Sequence, residues 1–306
     1  MSSPAPERIL QRLEWTVIRK LDGILQGDYR SLFQGSGLDL ADLREYQYGD
    51  DVRRIDWNVT ARMVTPYVRQ YLEDREIAAW FLLDLSPSID FGTVQKLKRN
   101  LLIDFVTVMA RVFTRHGNRV GAIFFDSKVE RVIPAGSGQM QVLRIVNDLL
   151  RQPKLKRAPL TDLGSLLDAA NRFIRRRSLI FLVSDFISTP GWEKPLGALC
   201  QRHEVTAIRL IDPREVELPD IGPVVIEDSE TGEQLWIDTH EKGFRQRYLA
   251  AAQKRESLLY QQFGRTGVDA LELSTEDDMV KELVRFVMKR KRFRRFHAPS
   301  TIGMAT

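Results

Sequence analysis

The chain has 306 residues, of which 43% are hydrophobic and 28% are charged, enough apolar material for one large or two modest folded domains. No apolar run approaches the roughly 20 residues of a membrane-spanning helix, and the N-terminal segment lacks the features of a signal peptide. The single cysteine, Cys200, excludes an intramolecular disulfide, and the four histidines lack the spacing of zinc ligands. We therefore expect a soluble cytoplasmic protein.

The formal net charge of +5 is concentrated at the C-terminal end of the chain. Residues 289–295 carry six basic side chains and no acid, so the rest of the chain has a net charge of −1. A nearly neutral body excludes a protein-wide nucleic-acid footprint. The basic tail, residues 289–306, could contact phosphate, an anionic membrane surface or an acidic partner, or it could form the solvated end of the last helix.

Apolar strands and amphipathic helices are predicted to alternate from residue 77 onward. A continuous apolar run over residues 77–83 is typical of a central strand buried on both faces. A helical stripe follows from Leu97 to Val112, and Gly117 ends that helix. The next helix is predicted to bury Met140, Leu143, Val146 and Leu150.

Later segments continue the same alternation. Further strands are predicted at residues 119–125, 129–133, 178–183, 205–211 and 268–273. Further helices are predicted from residue 160 to 174, around Leu196 and Leu199, from about 241 to 263, and from Glu276 onward. Residues 224–226 and 234–237 flank a polar turn, which indicates a β-hairpin.

This order of elements predicts a doubly wound α/β fold with a mostly parallel sheet and helices on both faces. Residues 1–76 are charged and show no such alternation, so we interpret them as an N-terminal extension that packs on the core. The main domain is predicted to span residues 77–288, with the hairpin inserted near residues 213–240.

Polar clusters at residues 84–88, 161–162 and 184–185 are expected at the carboxyl edge of this sheet. In an extended loop Asp84, Ser86 and Ser88 would point their oxygens towards one spot, and Thr161 and Asp185 would add a hydroxyl and a carboxylate. A site with few carboxylates and several hydroxyl groups suits Mg²⁺. Alternatively, the serines cap the following helix and Asp185 accepts hydrogen bonds from loop amides.

The chain resembles the domain-of-unknown-function family numbered 58, which contains a von Willebrand factor A-like fold. The resemblance is carried by residues 43–46 (LREY), 49–58 (GDDVRRIDWN), 60–62 (TAR), 83–88 (LDLSPS), 118–121 (NRVG) and 184–186 (SDF). It covers roughly residues 10–290.

The resemblance implies a metal-ion-dependent adhesion site, which carries over to Asp84, Ser86, Ser88, Thr161 and Asp185. The expected cofactor is Mg²⁺ or another divalent cation such as Mn²⁺ or Ca²⁺. The resemblance also implies association with a MoxR-type AAA+ ATPase or its client protein, with this chain as adaptor or co-chaperone.

Two positions depart from the usual adhesion-site pattern. Phe186 follows Asp185 where these sites usually have glycine. Asp162 adds a carboxylate beside Thr161, and this side chain could be a further ligand or could neighbour the metal.

A charged segment before the main domain is a candidate partner-docking face. Its candidate residues are Arg44, Asp50, Asp51, Arg53, Arg54, Asp56 and Trp57. The alternative is an internal ion-pair network, helped by bidentate arginine geometry. Ile55 and Trp57 are expected to anchor the segment by burial.

The leading hypothesis is a non-enzymatic, metal-dependent protein–protein interaction module. One alternative is a magnesium-dependent, phosphatase-like enzyme that uses Asp84, although such enzymes need a second aspartate where this chain has Ser86. Another alternative is attachment to nucleic acid or a membrane surface through the basic tail. No phosphate-binding loop of the Gly-x-x-x-x-Gly-Lys type is present, so ATP hydrolysis would come from a partner.

Overall fold

The computed structural model of the chain describes residues 5–18, 21, 42–48, 50–52, 55–63, 65–70, 78–93, 96–153, 160–228 and 231–297. The helices are α1 (Pro6–Leu13), α2 (Trp57–Met63), α3 (Lys98–Arg115), α4 (Gly138–Arg151), α5 (Leu163–Phe173), α6 (Glu193–Arg202), α7 (Lys242–Thr266) and α8 (Met279–His297). The strands are β1 (Asp42–Glu45), β2 (Tyr67–Gln70), β3 (Ala78–Asp84), β4 (Arg119–Phe125), β5 (Val129–Gly136), β6 (Leu179–Ser184), β7 (Glu204–Ile211), β8 (Pro223–Glu227), β9 (Gln234–Asp238) and β10 (Asp269–Ser274). A π-helical turn follows α1 at Glu14–Ile18, and short 3₁₀ helices lie at Pro87–Asp90 and Pro213–Glu215.

Six strands form the main sheet, in the order β10-β7-β6-β3-β4-β5. Five of them are parallel, and β5 runs antiparallel to β4 at one edge. The chain starts at the centre with β3, builds one side with β4 and β5, and then builds the other with β6, β7 and β10. This order confirms the predicted doubly wound, mostly parallel, von Willebrand factor A-like fold class.

The apolar run of β3 is continuous because this strand supplies both faces of the sheet. Successive strand side chains point to opposite faces. Phe81 therefore packs in a core formed with α1, α3, α4 and α8, whereas Leu82 packs in a second core formed with α5, α6 and α7. Both side chains are fully buried.

Helix α4 uses a different buried stripe from the one predicted. Met140 is 76% exposed, and Leu143 and Leu150 are only partly buried. The buried side chains of this helix are Val142, Ile145, Val146 and Leu149. The sequence contains two overlapping apolar stripes at helical spacing, and the structure buries the one that includes Val142 and Ile145. The predicted burial of Met140 is therefore wrong.

Part of the N-terminal segment packs on the main sheet. The buried side chains of α1, Ile9, Leu10 and Leu13, belong to the core that contains Phe81. An ion pair joins Arg12 to Asp104 of α3, with 2.6 Å between Nη2 and Oδ1. The predicted β-hairpin is confirmed, since β8 and β9 pair in antiparallel register.

The first nine residues of the basic tail, 289–297, continue the last helix, because α8 extends to His297. Arg290 lies in this helix, and its guanidinium pairs with the carboxylates of Glu204 in β7 and Asp269 in β10. At least one of the tail's positive charges is therefore held by the body of the protein. None of the described helices is both long and apolar enough to span a membrane.

Candidate functional site

The polar clusters at residues 84–88 and 184–188 lie where two adjacent parallel strands end. Asp84 ends β3, and Ser184 ends β6, which pairs with β3 in parallel register. The order of the sheet reverses at this pair of strands. In doubly wound sheets a reversal of strand order opens a crevice beyond the carboxyl ends, where ligands bind.

The loop after β3 holds its polar side chains by internal hydrogen bonds. The carboxylate of Asp84 accepts hydrogen bonds from the Ser86 backbone N–H at 3.0 Å and from the Ser184 hydroxyl at 2.6 Å. The hydroxyl oxygens of Ser86 and Ser88 are 3.1 Å apart. Ser86 stands at the N-cap of the 3₁₀ helix, but its side chain makes no capping hydrogen bond. The alternative in which Ser86 is simply a helix cap has no support from this geometry.

Burial raises the pKa of Asp84 to about 7, and the negative charge of Asp185 contributes further to the increase. Hydrogen bonds from Ser184 and Ser86 act in the opposite direction, because they stabilise the ionised form. The two carboxylates are therefore close enough to repel each other in a buried site. A cation between these loops would relieve that repulsion.

The carboxylate of Asp185 is engaged on both oxygens. Its Oδ1 accepts a hydrogen bond from the Ile187 N–H at 3.0 Å, and its Oδ2 pairs with the Lys98 ammonium at 2.7 Å. The expected bonding of Asp185 to a loop amide thus exists alongside an ion pair. Lys98 also pairs with Glu215, with 2.6 Å between Nζ and Oε1.

Lys98 is fully buried at the start of α3. Burial alone would lower its pKa, but Asp185 and Glu215 outweigh this effect and the pKa of Lys98 is raised. The ammonium therefore remains protonated at neutral pH. A buried cation of this kind is tolerated only when its partners compensate for the loss of hydration.

Phe186 adopts the left-handed backbone conformation that glycine adopts most readily. Its φ is 60°, and among the described residues it is the one non-glycine with positive φ. The ring packs edge-on against Phe263, with centroids 4.9 Å apart, and also contacts Trp192. The backbone N–H of Phe186 donates to the Ser184 hydroxyl at 2.9 Å. Aromatic packing thus offsets the backbone strain that glycine would avoid.

The loop that contains Thr161 contacts the loop that follows β6. The carbonyl oxygen of this buried residue accepts hydrogen bonds from the Thr189 N–H and the Ser188 hydroxyl, both at 2.9 Å. Asp162 caps α5, because its carboxylate accepts a hydrogen bond from the Ser165 backbone N–H at 3.4 Å, and it also accepts one from the Ser165 hydroxyl at 2.6 Å.

The donor atoms of this site fit a hard divalent cation. Asp84, Ser86, Ser88 and Asp185 offer only oxygen, which Mg²⁺ prefers. Within the part of the chain that the structure describes, no cluster of three or more His, Cys, Asp or Glu side chains could hold a metal. Hydroxyl groups and water would therefore supply most of the coordination of a cation bound here.

Residues 42–257 match the family described as "Protein of unknown function DUF58". The chain belongs to this family. An uncharacterized protein of Mycobacterium tuberculosis is 37% identical to it over 294 residues, covering 95% of this chain and 92% of the relative.

Two solved structures are similar to parts of this chain. The conserved hypothetical protein BatB of Bacteroides thetaiotaomicron is 13% identical with a TM-score of 0.44, covering 71% of this chain and 99% of BatB. The manganese-loaded TRAP protein of Plasmodium vivax is 19% identical with a TM-score of 0.35, covering 44% of this chain and 57% of TRAP.

The candidate docking segment of this DUF58 protein includes an exposed aromatic residue. Trp57 is 68% exposed and Ile55 is half-buried, so the expected burial of Trp57 is wrong. Trp57 is the first residue of the short helix α2. An exposed tryptophan suits the docking interpretation better than the interpretation as a buried anchor.

Two acidic residues of this segment, Asp50 and Asp56, have local structural roles. Asp56 is buried and accepts a hydrogen bond from the Val59 N–H at the start of α2, and Asp50 accepts one from the Gln47 N–H. Asp51 is exposed. Arg53, Arg54 and the side chain of Arg44 lie outside the described residues.

Sequence reasoning missed two residues of the DUF58 site, Lys98 and Glu215. It placed Ser184 in the polar cluster at residues 184–185 but did not predict the hydrogen bond that its hydroxyl donates to Asp84. Lys98 belongs to a basic run that resembles a solvated surface, and its partners are 87 and 117 residues away in sequence. No local pattern marks such a contact.

Proposed function

We propose that this chain is a metal-dependent protein–protein interaction module without catalytic residues of its own. Asp84, Ser86, Ser88, Thr161 and Asp185 would hold a divalent cation, most naturally Mg²⁺. The cation would supply an electrophilic position that accepts a carboxylate from a partner protein. The family resemblance favours a MoxR-type AAA+ ATPase, or its client, as that partner.

The observation that carries the proposal is the meeting of two carboxylates and a hydroxyl pair at one buried strand edge. Asp84 and Asp185 repel each other there, while Ser86 and Ser88 present oxygens 3.1 Å apart. Neutral hydroxyl ligands leave a bound cation with much of its charge. Such a cation attracts a further anionic ligand, which is the property that carboxylate recognition requires.

A cleft of about 410 Å³ beside Asp185 supports the binding of a protein segment. Phe186 and Trp192 contribute aromatic surface to its wall, and Lys254 and Arg255 of α7 contribute positive charge. Leu258 in the same wall is 51% exposed. An acidic segment with an apolar side chain would complement this surface while its carboxylate reached the cation.

Cation binding is tested with Mn²⁺, which is followed by electron paramagnetic resonance during titration. The wild-type chain should bind Mn²⁺, and Asp84→Ala should lose roughly tenfold or more in affinity, because it removes one of two buried carboxylates. Asp168→Ala is the matched control, since Asp168 is an exposed carboxylate on α5. Equal Mn²⁺ binding by wild type and Asp84→Ala would contradict the proposed site.

Partner binding is tested by pull-down of a MoxR-type ATPase encoded in the same genome. Capture should require Mg²⁺, should be lost with chelator, and should fail with Asp84→Ala while persisting with Asp168→Ala. Capture that ignores both the cation and Asp84 would refute the metal-bridged mechanism. Turnover of an aryl phosphate that disappears in Asp84→Ala would favour the phosphatase-like alternative instead.

A further inference from the structure

The ammonium of Lys98 lies inside the candidate cation site as a permanent positive charge. The side chain is fully buried and pairs at 2.7 Å with Asp185 and at 2.6 Å with Glu215. The ring of Phe91 lies 5.8 Å from the ammonium nitrogen. A partner-binding module does not need a lysine of its own chain to pair with a carboxylate that would ligate the metal.

Asp185 can serve a metal only by sharing or releasing a bond that it already makes. Its Oδ1 accepts a hydrogen bond from the Ile187 N–H, and its Oδ2 pairs with Lys98. Since Lys98 is part of the chain, it is held next to Asp185 at a high effective concentration. A free cation must therefore compete with a tethered one.

We infer that Lys98 sets the affinity of this site for divalent cations by competing for Asp185. This inference rests on the proposed cation site, and it adds a residue that tunes that site without ligating the metal. Lys98 offsets one negative charge among Asp84, Asp185 and Glu215, and charges interact strongly where burial excludes water. Glu215 acts in the opposite direction, because it draws the ammonium away from Asp185.

The test measures Mn²⁺ affinity by electron paramagnetic resonance in wild type, Lys98→Met and Lys96→Met. Lys98→Met should bind Mn²⁺ roughly tenfold tighter, because the competing charge is gone. Lys96→Met should remain within about twofold of wild type, since Lys96 is half exposed and its carboxylate neighbour is Asp104. Mn²⁺ should also raise the melting temperature of Lys98→Met more than that of wild type.

Glu215→Gln provides a test of opposite sign and does not depend on whether Lys98→Met folds. In this variant Lys98 pairs with Asp185 alone and the site loses one negative charge, so Mn²⁺ should bind roughly threefold or more weakly. Wild-type affinity in Glu215→Gln, or in a folded Lys98→Met, would overturn the role of Lys98.

The outcomes separate this inference from the proposed cation site. Mn²⁺ binding that is lost in Asp84→Ala but unchanged in both Lys98→Met and Glu215→Gln refutes only the competition. Absence of Mn²⁺ binding in wild type and in Lys98→Met refutes the cation site and the competition together. Binding that tightens in Lys98→Met and weakens in Glu215→Gln, with Lys96→Met unchanged, supports both.

Discussion

Lys98 and Arg209 are both buried cations held by two carboxylates, but these carboxylates differ in their access to water. The partners of Lys98 are Asp185, whose side chain is 1% exposed, and Glu215, which is 14% exposed. Arg209, on β7, pairs with Glu256, which is 26% exposed, and Glu272, which is 43% exposed. The charge pattern is the same, whereas the environment is not.

The difference assigns the two clusters to different tasks. Arg209 joins β7 to the neighbouring strand β10 and to α7, so its cluster braces elements that already pack together. The Lys98 cluster instead lies beside Asp84, at the point where the strand order reverses. Burying charge at that position costs free energy that a well-packed apolar core would not. Such a cost is expected at a site that binds a ligand.

The comparison predicts its largest effect for Lys98→Met. Removal of the ammonium leaves Asp185 and Glu215 without their shared partner, so unfolding free energy should fall by about 3–5 kcal/mol. Urea denaturation in the absence of divalent cations measures this loss, and Lys96→Met should lose less than about 0.5 kcal/mol. A loss for Lys98→Met as small as that of its control would mean that water solvates both carboxylates.

Arg209→Met should have a smaller effect although the same number of ion pairs is broken. Glu256 and Glu272 are partly exposed and return to water when the guanidinium is removed, so the loss should be about 1–2 kcal/mol. Added salt should weaken the wild-type contribution of Arg209 more than that of Lys98. Equal losses for the two variants would show that exposure of the acids does not distinguish the clusters.

Most of the fold could be predicted from the sequence because its signals are local. The apolar run that becomes β3, the helical stripe of α3 and the polar turn between β8 and β9 each mark one element. The prediction was weaker where the local pattern allows two solutions, as in α4, where Met140 and Val142 begin overlapping stripes. Packing against the sheet decides between them, and the sequence of one helix does not contain that information.

The residues of the candidate site also differ in whether a local sequence pattern predicts them. Asp84, Ser86 and Ser88 could be predicted because they follow an apolar strand at alternating spacing. Lys98 could not, because its burial depends on contacts with Asp185 and with the segment after β7. Long-range ion pairs of this kind leave no periodic trace.

His203 offers a test of a buried base whose pKa is shifted by burial and by positively charged neighbours, whereas Lys98 pairs with acids. Burial lowers its pKa to about 4, and the positive charges of Arg202 and Arg177 contribute. Below pH 6.5 the unfolded chain binds a proton that the folded chain does not, so stability should fall as pH decreases through this range. The free energy of unfolding should decrease by about 1 kcal/mol per pH unit down to about pH 4. Urea denaturation at a series of pH values measures this decrease.

His203→Gln should remove this slope, because glutamine does not titrate in that range. A wild-type slope that persists unchanged in His203→Gln would assign the acid sensitivity to other groups. In that case the contrast between a base paired with acids and a base beside arginines would not explain the acid sensitivity of the protein.

The smallest predicted effect concerns Phe186, next to the carboxylate that Lys98 holds. At ordinary positions glycine is about 0.5–1 kcal/mol less stable than alanine, whereas alanine is strained by about 1–2 kcal/mol in the left-handed region. Phe186→Gly should therefore be about 0.5–1 kcal/mol more stable than Phe186→Ala, although both lose the packing against Phe263.

Denaturant unfolding of the two variants measures this difference, and the corresponding pair at Phe173 is the control. Phe173 is 54% exposed at the end of α5, so Phe173→Gly should be the less stable member there. The usual order at Phe186 as well would mean that its backbone is unstrained in solution. The reversed order at Phe186 alone would show that the left-handed backbone of this residue, next to Asp185, is strained in the folded chain.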